Sequence, residues 1–189
     1  MLVLAASVVT GIVVQQSLAG TSAATELSRA LGLDDEVTAE DGLITDGAEV
    51  SVFDDTVPAV ANLSADLLGA VRDAATDARV DGVEFVVNAG WRSKALQAQL
   101  LRDAVTTYGS EEEAARWVAT PENSSHVTGD AVDLGPLTAQ DWLAQYGAAY
   151  GLCQTYANER WHFELRPEAV TAGCPQAYAD PTEDPRMWR

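Results

Sequence analysis

The chain has two histidines, and each stands close to carboxylates. His126 lies in Ser124-Ser125-His126-Val127-Thr128-Gly129-Asp130-Ala131-Val132-Asp133, and His162 lies in Glu159-Arg160-Trp161-His162-Phe163. Two imidazoles and one carboxylate (His126, His162 and Asp133) can hold a divalent ion through three ligands and leave a position open for water. Glu159, three residues before His162, is spaced to reach that water rather than the ion. A carboxylate so placed can take a proton from the water and pass it on, which is general acid–base work. Spacing alone leaves two readings open: such a site, or two ordinary histidines satisfied by hydrogen bonds. Asp and Glu number 29, so a carboxylate near a histidine is weak evidence by itself.

Periodicity predicts the elements that must position these residues. Apolar residues at Val60, Leu63, Leu67, Val71 and Ala74 keep helical spacing from Pro58 until Asp81-Gly82 ends the element. Val83–Val87 is β-branched and aromatic and predicts a strand that stops at Asn88-Ala89-Gly90. Lys94–Tyr108 reads as a helix closed by Gly109, and Ser110 with Glu113 makes a capping box for a short helix through Val118. Pro121-Glu122-Asn123 imposes a loop that carries His126, and Gly129 lets the chain reverse before a short strand at Ala131–Leu134. Thr138–Tyr150 predicts an amphipathic helix stopped by Gly151, and Trp161–Leu165 a short strand. The tail, Pro175–Arg189, carries Asp-Pro twice and reads as extended. Helices interleaved with short strands predict an α+β domain.

Composition narrows the partners. A net charge of −18 with a single lysine, Lys94, excludes a phosphate-binding nucleic-acid surface and a polybasic contact with anionic lipid. Leu2–Val14 is an apolar run of 13 residues, short of the ~20 that span a bilayer, followed by small residues from Ser17 to Ala24. That pattern fits the apolar core and cleavage zone of a secretory signal, although no Lys or Arg precedes it; the alternative is a buried N-terminal helix or strand. Export is expected, to the exterior or the cell wall, with the N-terminal segment either cleaved or kept as an anchor. Export would also permit Cys153 and Cys174 to form a disulfide around the stretch holding Glu159 and His162; two buried free thiols are the alternative.

The segment from Ala119 through Pro121 and Ser124 to Asp133 resembles the S-x-H-x-x-G-x-A-x-D signature of bacterial zinc D-alanyl-D-alanine carboxypeptidases. These are the VanY-type enzymes of the peptidase M15 family, which share a fold with the hedgehog signalling domain. Glu159-Arg160-Trp161-His162 is similar to that family's E-x-W-H block. Asn88-Ala89-Gly90-Trp91-Arg92-Ser93 with Gln97 resembles its G-Y-R-S-x-x-x-Q block, and the three occur in the family's order. The resemblance implies a small antiparallel sheet with flanking helices. It implies zinc on His126, Asp133 and His162, Glu159 as catalytic base, and Arg92 on the scissile carbonyl or its developing oxyanion. Trp91 becomes an aromatic wall for substrate in place of the usual tyrosine. Ser124 and Gln97 become either substrate contacts or plain loop and helix hydrogen-bonding groups. Glu164 stands where a basic residue is frequent, and the stretch between Asp133 and Glu159 is short. The expected division is an N-terminal segment 1–24, an acidic, loosely structured lead-in 25–57, a peptidase domain 58–175 and a tail 176–189.

Other chemistries fit less well. A Ser-x-x-Lys mechanism fails because position 91, three before Lys94, is tryptophan, and a P-loop fails because Ser93 rather than glycine precedes that lysine. An iron site with two histidines and a carboxylate leaves Glu159 without a task. A non-catalytic wall-binding domain of the same fold would have no need to keep all four residues. The expectation is a monomeric zinc peptidase acting on peptidoglycan peptide stems, as a D-Ala-D-Ala carboxypeptidase, an endopeptidase or a D,D-dipeptidase.

Overall fold

Strand alternation sorts the site residues from the core residues. The computed structural model describes residues 37–45 and 47–188. Five strands form one antiparallel sheet: β1 (Val50–Ser51), β2 (Val86–Ala89), β3 (Ala131–Gly135), β4 (Leu152–Gln154) and β5 (His162–Leu165), in the order β1-β2-β3-β5-β4. Successive side chains leave opposite faces of a strand. Val132 therefore pairs with Phe163 on one face of β3 and β5, while Asp133 pairs with His162 on the other. Val87, Val132, Leu134 and Phe163 enter the apolar core. Asp133, His162 and Glu164 share the opposite face.

Six helices flank the sheet among the described residues: α1 (Pro58–Ala61), α2 (Ala65–Val80), α3 (Lys94–Tyr108), α4 (Glu111–Ala114), α5 (Leu137–Tyr146) and α6 (Ala169–Ala172). α2 buries Leu67, Val71, Ala74, Ala75 and Ala78, one helical stripe, and α5 buries Ala139, Trp142 and Leu143. Both stripes join the core formed by the sheet. Each fully buried Val, Leu or Phe contributes ~1.5–3 kcal/mol relative to exposure, so this packing fixes the sheet on which the site residues stand. No described helix is long and apolar enough to cross a membrane.

The α+β expectation and the small antiparallel sheet hold, with local corrections. The helix expected from Pro58 to Asp81 is broken at Asn62–Ser64, because the Ser64 amide donates to the Gly129 carbonyl at 2.9 Å. The strand expected at Val83–Val87 lies at Val86–Ala89, set by pairing with β3 and a bulge between Val87 and Ala89. β4 was not expected; it follows Gly151 and has only three residues, too few for a visible alternation. The helix expected over Thr138–Tyr150 is α only to Tyr146 and then a 3₁₀ turn, Gly147–Tyr150. The Ser110 side chain accepts from the Glu113 amide, but α4 ends at Ala114 rather than Val118.

Two larger corrections concern the segments outside 58–175. From Val37 onward the acidic lead-in is structured: Thr38 and Asp41 form a capping box around Ala39–Asp41, and β1 joins the sheet. Asp41 also accepts a 2.8 Å hydrogen bond from the Ser93 hydroxyl, a contact 52 residues apart that local sequence cannot reveal. The tail is not extended. It forms 3₁₀ turns at Pro181–Glu183 and Pro185–Trp188 and runs beside residues 155–158 through Tyr178 and Ala179. The segment 1–24 and its expected signal lie outside the described residues.

Candidate active site

Asp133 and His162 are direct cross-strand partners, so the sheet register alone brings them together. His126 arrives from the loop before β3. Its Nδ1 lies 2.8 Å from the Gly90 carbonyl oxygen, and its own carbonyl accepts from the Arg92 and Gly129 amides. Gly129 has φ +78°, and a Cβ there would meet the Asn62 carbonyl oxygen at 2.5 Å. The chain needs glycine at this reversal both for its left-handed backbone and for the close approach. Glu159 is folded back over His162 by a turn in which the His162 amide donates to the Glu159 carbonyl at 3.1 Å.

The three expected ligand atoms form a near-equilateral triangle. His126 Nε2 lies 3.2 Å from His162 Nδ1, His162 Nδ1 lies 3.2 Å from Asp133 Oδ1, and His126 Nε2 lies 3.4 Å from Asp133 Oδ1. Ligands at 2.0–2.1 Å from a tetrahedral ion are separated by about 3.3 Å, so the triangle has the dimensions of three corners of a zinc tetrahedron. Proton placement agrees. The Gly90 carbonyl needs a proton on His126 Nδ1, and the Glu164 carboxylate, 3.2 Å from His162 Nε2, needs one there. In the neutral rings, His126 Nε2 and His162 Nδ1 then turn lone pairs toward each other and toward Asp133. Such an arrangement calls for a cation at its centre, and the outer N–H partners are those that orient metal-bound histidines.

The electrostatics follow from burial and the surrounding charges. Burial, with Arg92 nearby, lowers the His126 pKa against the pull of Asp133 and favours its neutral ring. Burial alone would raise Asp133, but His126, His162 and Arg92 hold it well below the usual carboxylate range. Burial also opposes charge on His162, yet the Asp133 and Glu164 hydrogen bonds push it up to about 9. The site is thus poised to hold one positive charge beside Asp133, whether a proton or a metal that displaces it. Glu159 Oε2 lies 3.7 Å from His162 Nδ1, outside the ligand triangle. Burial raises the Glu159 pKa to about 7, with Asp133 and Asp180 adding to the rise against His162 and Arg92. A carboxyl group balanced there can both accept and return a proton.

A cavity of about 320 Å³ opens over this group and is lined by Arg92, Gln97, Ser124, His126, Asp133, Glu159 and His162. Arg92 donates to Asp133 Oδ2 at 3.0 Å and to Gln97 Oε1 at 3.2 Å. Gln97 in turn donates to the Ala119 carbonyl at 2.9 Å, so its amide chiefly holds Arg92 in place. Trp91 is not in the lining. Its amide donates to the Ala59 carbonyl, and its own carbonyl packs on Gly42, where a Cβ would sit 2.1 Å away. The aromatic wall is instead Tyr156, Trp161 and a stacked pair, Tyr108 and Trp117, with ring centroids 5.8 Å apart. Sequence reasoning missed Tyr108, Trp117 and Tyr156 because only tertiary packing brings them to the site. Cys153 and Cys174 are joined in a disulfide.

Residues 61–168 match the family model described as VanY, D-alanyl-D-alanine carboxypeptidase, a span containing the triangle, Glu159 and Arg92. The chain belongs to the VanY family. A D-alanyl-D-alanine carboxypeptidase of Enterococcus faecalis (strain ATCC 700802 / V583) is 29% identical over 111 residues, covering 46% of this chain. The chain spans about two fifths (41%) of the length of that curated relative. Two solved structures share the fold with a TM-score of 0.54 at 24% identity over 59% of this chain. One is a variant of the vancomycin resistance D,D-pentapeptidase VanY in complex with Zn(II), matched over 75% of its length. The other is VanYB in complex with D-alanine-D-alanine, matched over 74% of its length.

Proposed function

We propose that this VanY-family chain is a zinc-dependent peptidase that releases terminal D-alanine from peptidoglycan peptide stems. The observation that carries the reading is the buried His126–Asp133–His162 triangle, with edges of 3.2–3.4 Å and Glu159 beside it. A zinc ion held there supplies Lewis-acid chemistry, polarising a carbonyl and acidifying water. The chain's own groups do the rest. Glu159 accepts the proton of the attacking water as the new C–O bond forms, and returns it to the leaving amine as the C–N bond breaks. Arg92, held by Gln97 and Asp133, faces the cavity and stabilises charge developing on the carbonyl oxygen. The aromatic wall, solvent-exposed at Tyr108, Trp117 and Trp161, offers the peptide apolar and stacking contact beside the triangle. Relatives that carry Zn(II) and D-alanine-D-alanine support the choice of metal and of substrate class.

Export is part of the same proposal. The Cys153–Cys174 bridge suits an oxidising compartment, and a stem-peptide substrate lies outside the membrane. The net charge of −18 argues against nucleic acid as a partner, and the protein is proposed to act as a monomer.

The test is to incubate zinc-loaded protein with a stem pentapeptide ending in D-Ala-D-Ala, the free D-Ala-D-Ala dipeptide and a cross-linked stem dimer. Release of one D-alanine from the pentapeptide, at the highest kcat/KM of the three, is expected. Preference for the dipeptide or the dimer would replace carboxypeptidase with dipeptidase or endopeptidase. A His162→Ala protein that kept stoichiometric zinc would overturn the ligand set.

A further inference from the structure

The C-terminal tail reaches the metal triangle through a part-buried ion network that lies partly beyond the span matched by the family. Glu164 follows His162 by two positions on β5, so both leave the same face of the strand. Its side chain is almost fully buried, and its Oε1 lies 3.2 Å from His162 Nε2. The Ser125 hydroxyl donates to that same oxygen at 3.0 Å. Arg186 grips the carboxylate with both ends of its fork, Nη1 on Oε2 at 2.7 Å and Nη2 on Oε1 at 3.1 Å. Arg166 adds a 3.0 Å bond to Oε2 only.

Arg186 is itself held from behind. Its Nε donates to both oxygens of Asp184, at 3.0 and 2.9 Å, and Asp184 is fully buried and accepts from the Tyr156 hydroxyl at 3.0 Å. Asn123 ties the tail to the His126 loop by donating to the Met187 carbonyl at 2.9 Å. The two buried carboxylates, Glu164 and Asp184, thus face two guanidinium groups, and only Arg186 touches both carboxylates.

We propose that Arg186 is a positioning residue for His162. Acting through Glu164, it fixes the carboxylate oxygen that accepts the His162 Nε2–H, and so holds the ring with Nδ1 aimed into the triangle. A fork on two oxygens sets the carboxylate plane, which a single ammonium donor cannot do. Without Arg186, Arg166 steadies Oε2, but Oε1 keeps only the Ser125 hydroxyl and the imidazole it should orient. The inference rests on His162 being a metal ligand.

The test uses the full chain with Arg186→Ala and Arg186→Lys. Zinc affinity is read by competition with a chromogenic chelator, and thermal unfolding reports the fold. The ring N–H protons are read by NMR with and without zinc; with two histidines in the chain, two ring patterns are expected. Loss of the direct partner of a liganding histidine costs ~10–100-fold in metal affinity; Arg186→Ala leaves Glu164 in place but unclamped, so a weakening of up to ~10-fold is expected, with Arg186→Lys between it and the parent. The His162 Nε2–H signal should broaden by solvent exchange while the His126 Nδ1–H, bound to Gly90, stays sharp. Unchanged zinc affinity with an unchanged His162 signal would overturn the proposal. Equal loss of both ring signals would overturn it too, since the residue would then only hold the fold together. If Arg186→Ala does not fold, Arg186→Lys with parental affinity and signals overturns it. Failure of the parent protein to bind zinc would refute the metal reading instead, and the metal-free N–H signals would still decide the role of Arg186.

Discussion

Gly90 sits where two tight contacts meet, which makes Gly90→Ala a sharp test of how the His126 loop is held. A Cβ at this position would lie 2.1 Å from the Ala59 carbonyl oxygen and 2.9 Å from its carbon, both backbone atoms. Ordinary contact needs a retreat of more than 1 Å. The same residue's carbonyl accepts the His126 Nδ1–H at 2.8 Å, and the next amide, Trp91, donates to Ala59 at 2.8 Å. Any relaxation therefore moves α1 or the acceptor of His126. Overpacking of this kind costs ~1–3 kcal/mol. Loss of the Trp91–Ala59 hydrogen bond adds ~0.5–1.5 kcal/mol. The expected loss is ~2–4 kcal/mol by urea unfolding, against a total stability of ~5–15 kcal/mol for a domain of ordinary size, so the variant should still fold. With the partner of His126 displaced, zinc affinity should fall ~10–100-fold. Gly69→Ala is the control: it lies within α2 with open space around its missing Cβ, and should stabilise by ~0.5–1 kcal/mol without touching zinc. Gly90→Ala within ~0.5 kcal/mol of the parent, with unchanged zinc affinity, would refute the reasoning.

Glu159→Gln should keep zinc and lose ~10²–10⁴ in kcat, because a general acid–base is removed while the ligand triangle is untouched; near-normal turnover would hand the role to another carboxylate. Arg92→Lys cannot reproduce the bonds to both Asp133 and Gln97, and should lower kcat ~10²–10³ with little change in KM; a raised KM at constant kcat would make Arg92 a substrate-binding residue only. Replacing Cys153 and Cys174 together by serine opens a loop between residues 21 positions apart and should cost about 3 kcal/mol of stability. Alkylation of the denatured, unreduced parent should add nothing to its intact mass, and two added groups would show that the bridge is absent.

How much of this was legible beforehand depends on the range of the interaction. Residue type and spacing made His126, Asp133, Glu159 and His162 candidates, and the resemblance of their two blocks to the VanY-type motifs, not the spacing itself, assigned the ligands and the base. α3 was readable to the residue, since Ser93 caps its first turn through the Leu96 amide and Gly109 closes it at φ +85°. Apolar periodicity likewise declared the buried stripe of α2. What sequence could not give was pairing and approach. The register that sets Asp133 opposite His162 depends on which strands meet, and the break before α2 depends on Gly129 arriving from 65 residues away. Trp91 read as an aromatic wall through the family block it resembles, while the aromatic residues lining the cavity are Tyr108, Trp117, Tyr156 and Trp161, which only the fold brings together. The tail read as extended because Asp-Pro steps disfavour regular helix. Only the folded chain shows a half-buried Arg186 forked onto the buried Glu164 carboxylate, because the two meet across 22 positions through the path of the tail, which no local pattern encodes.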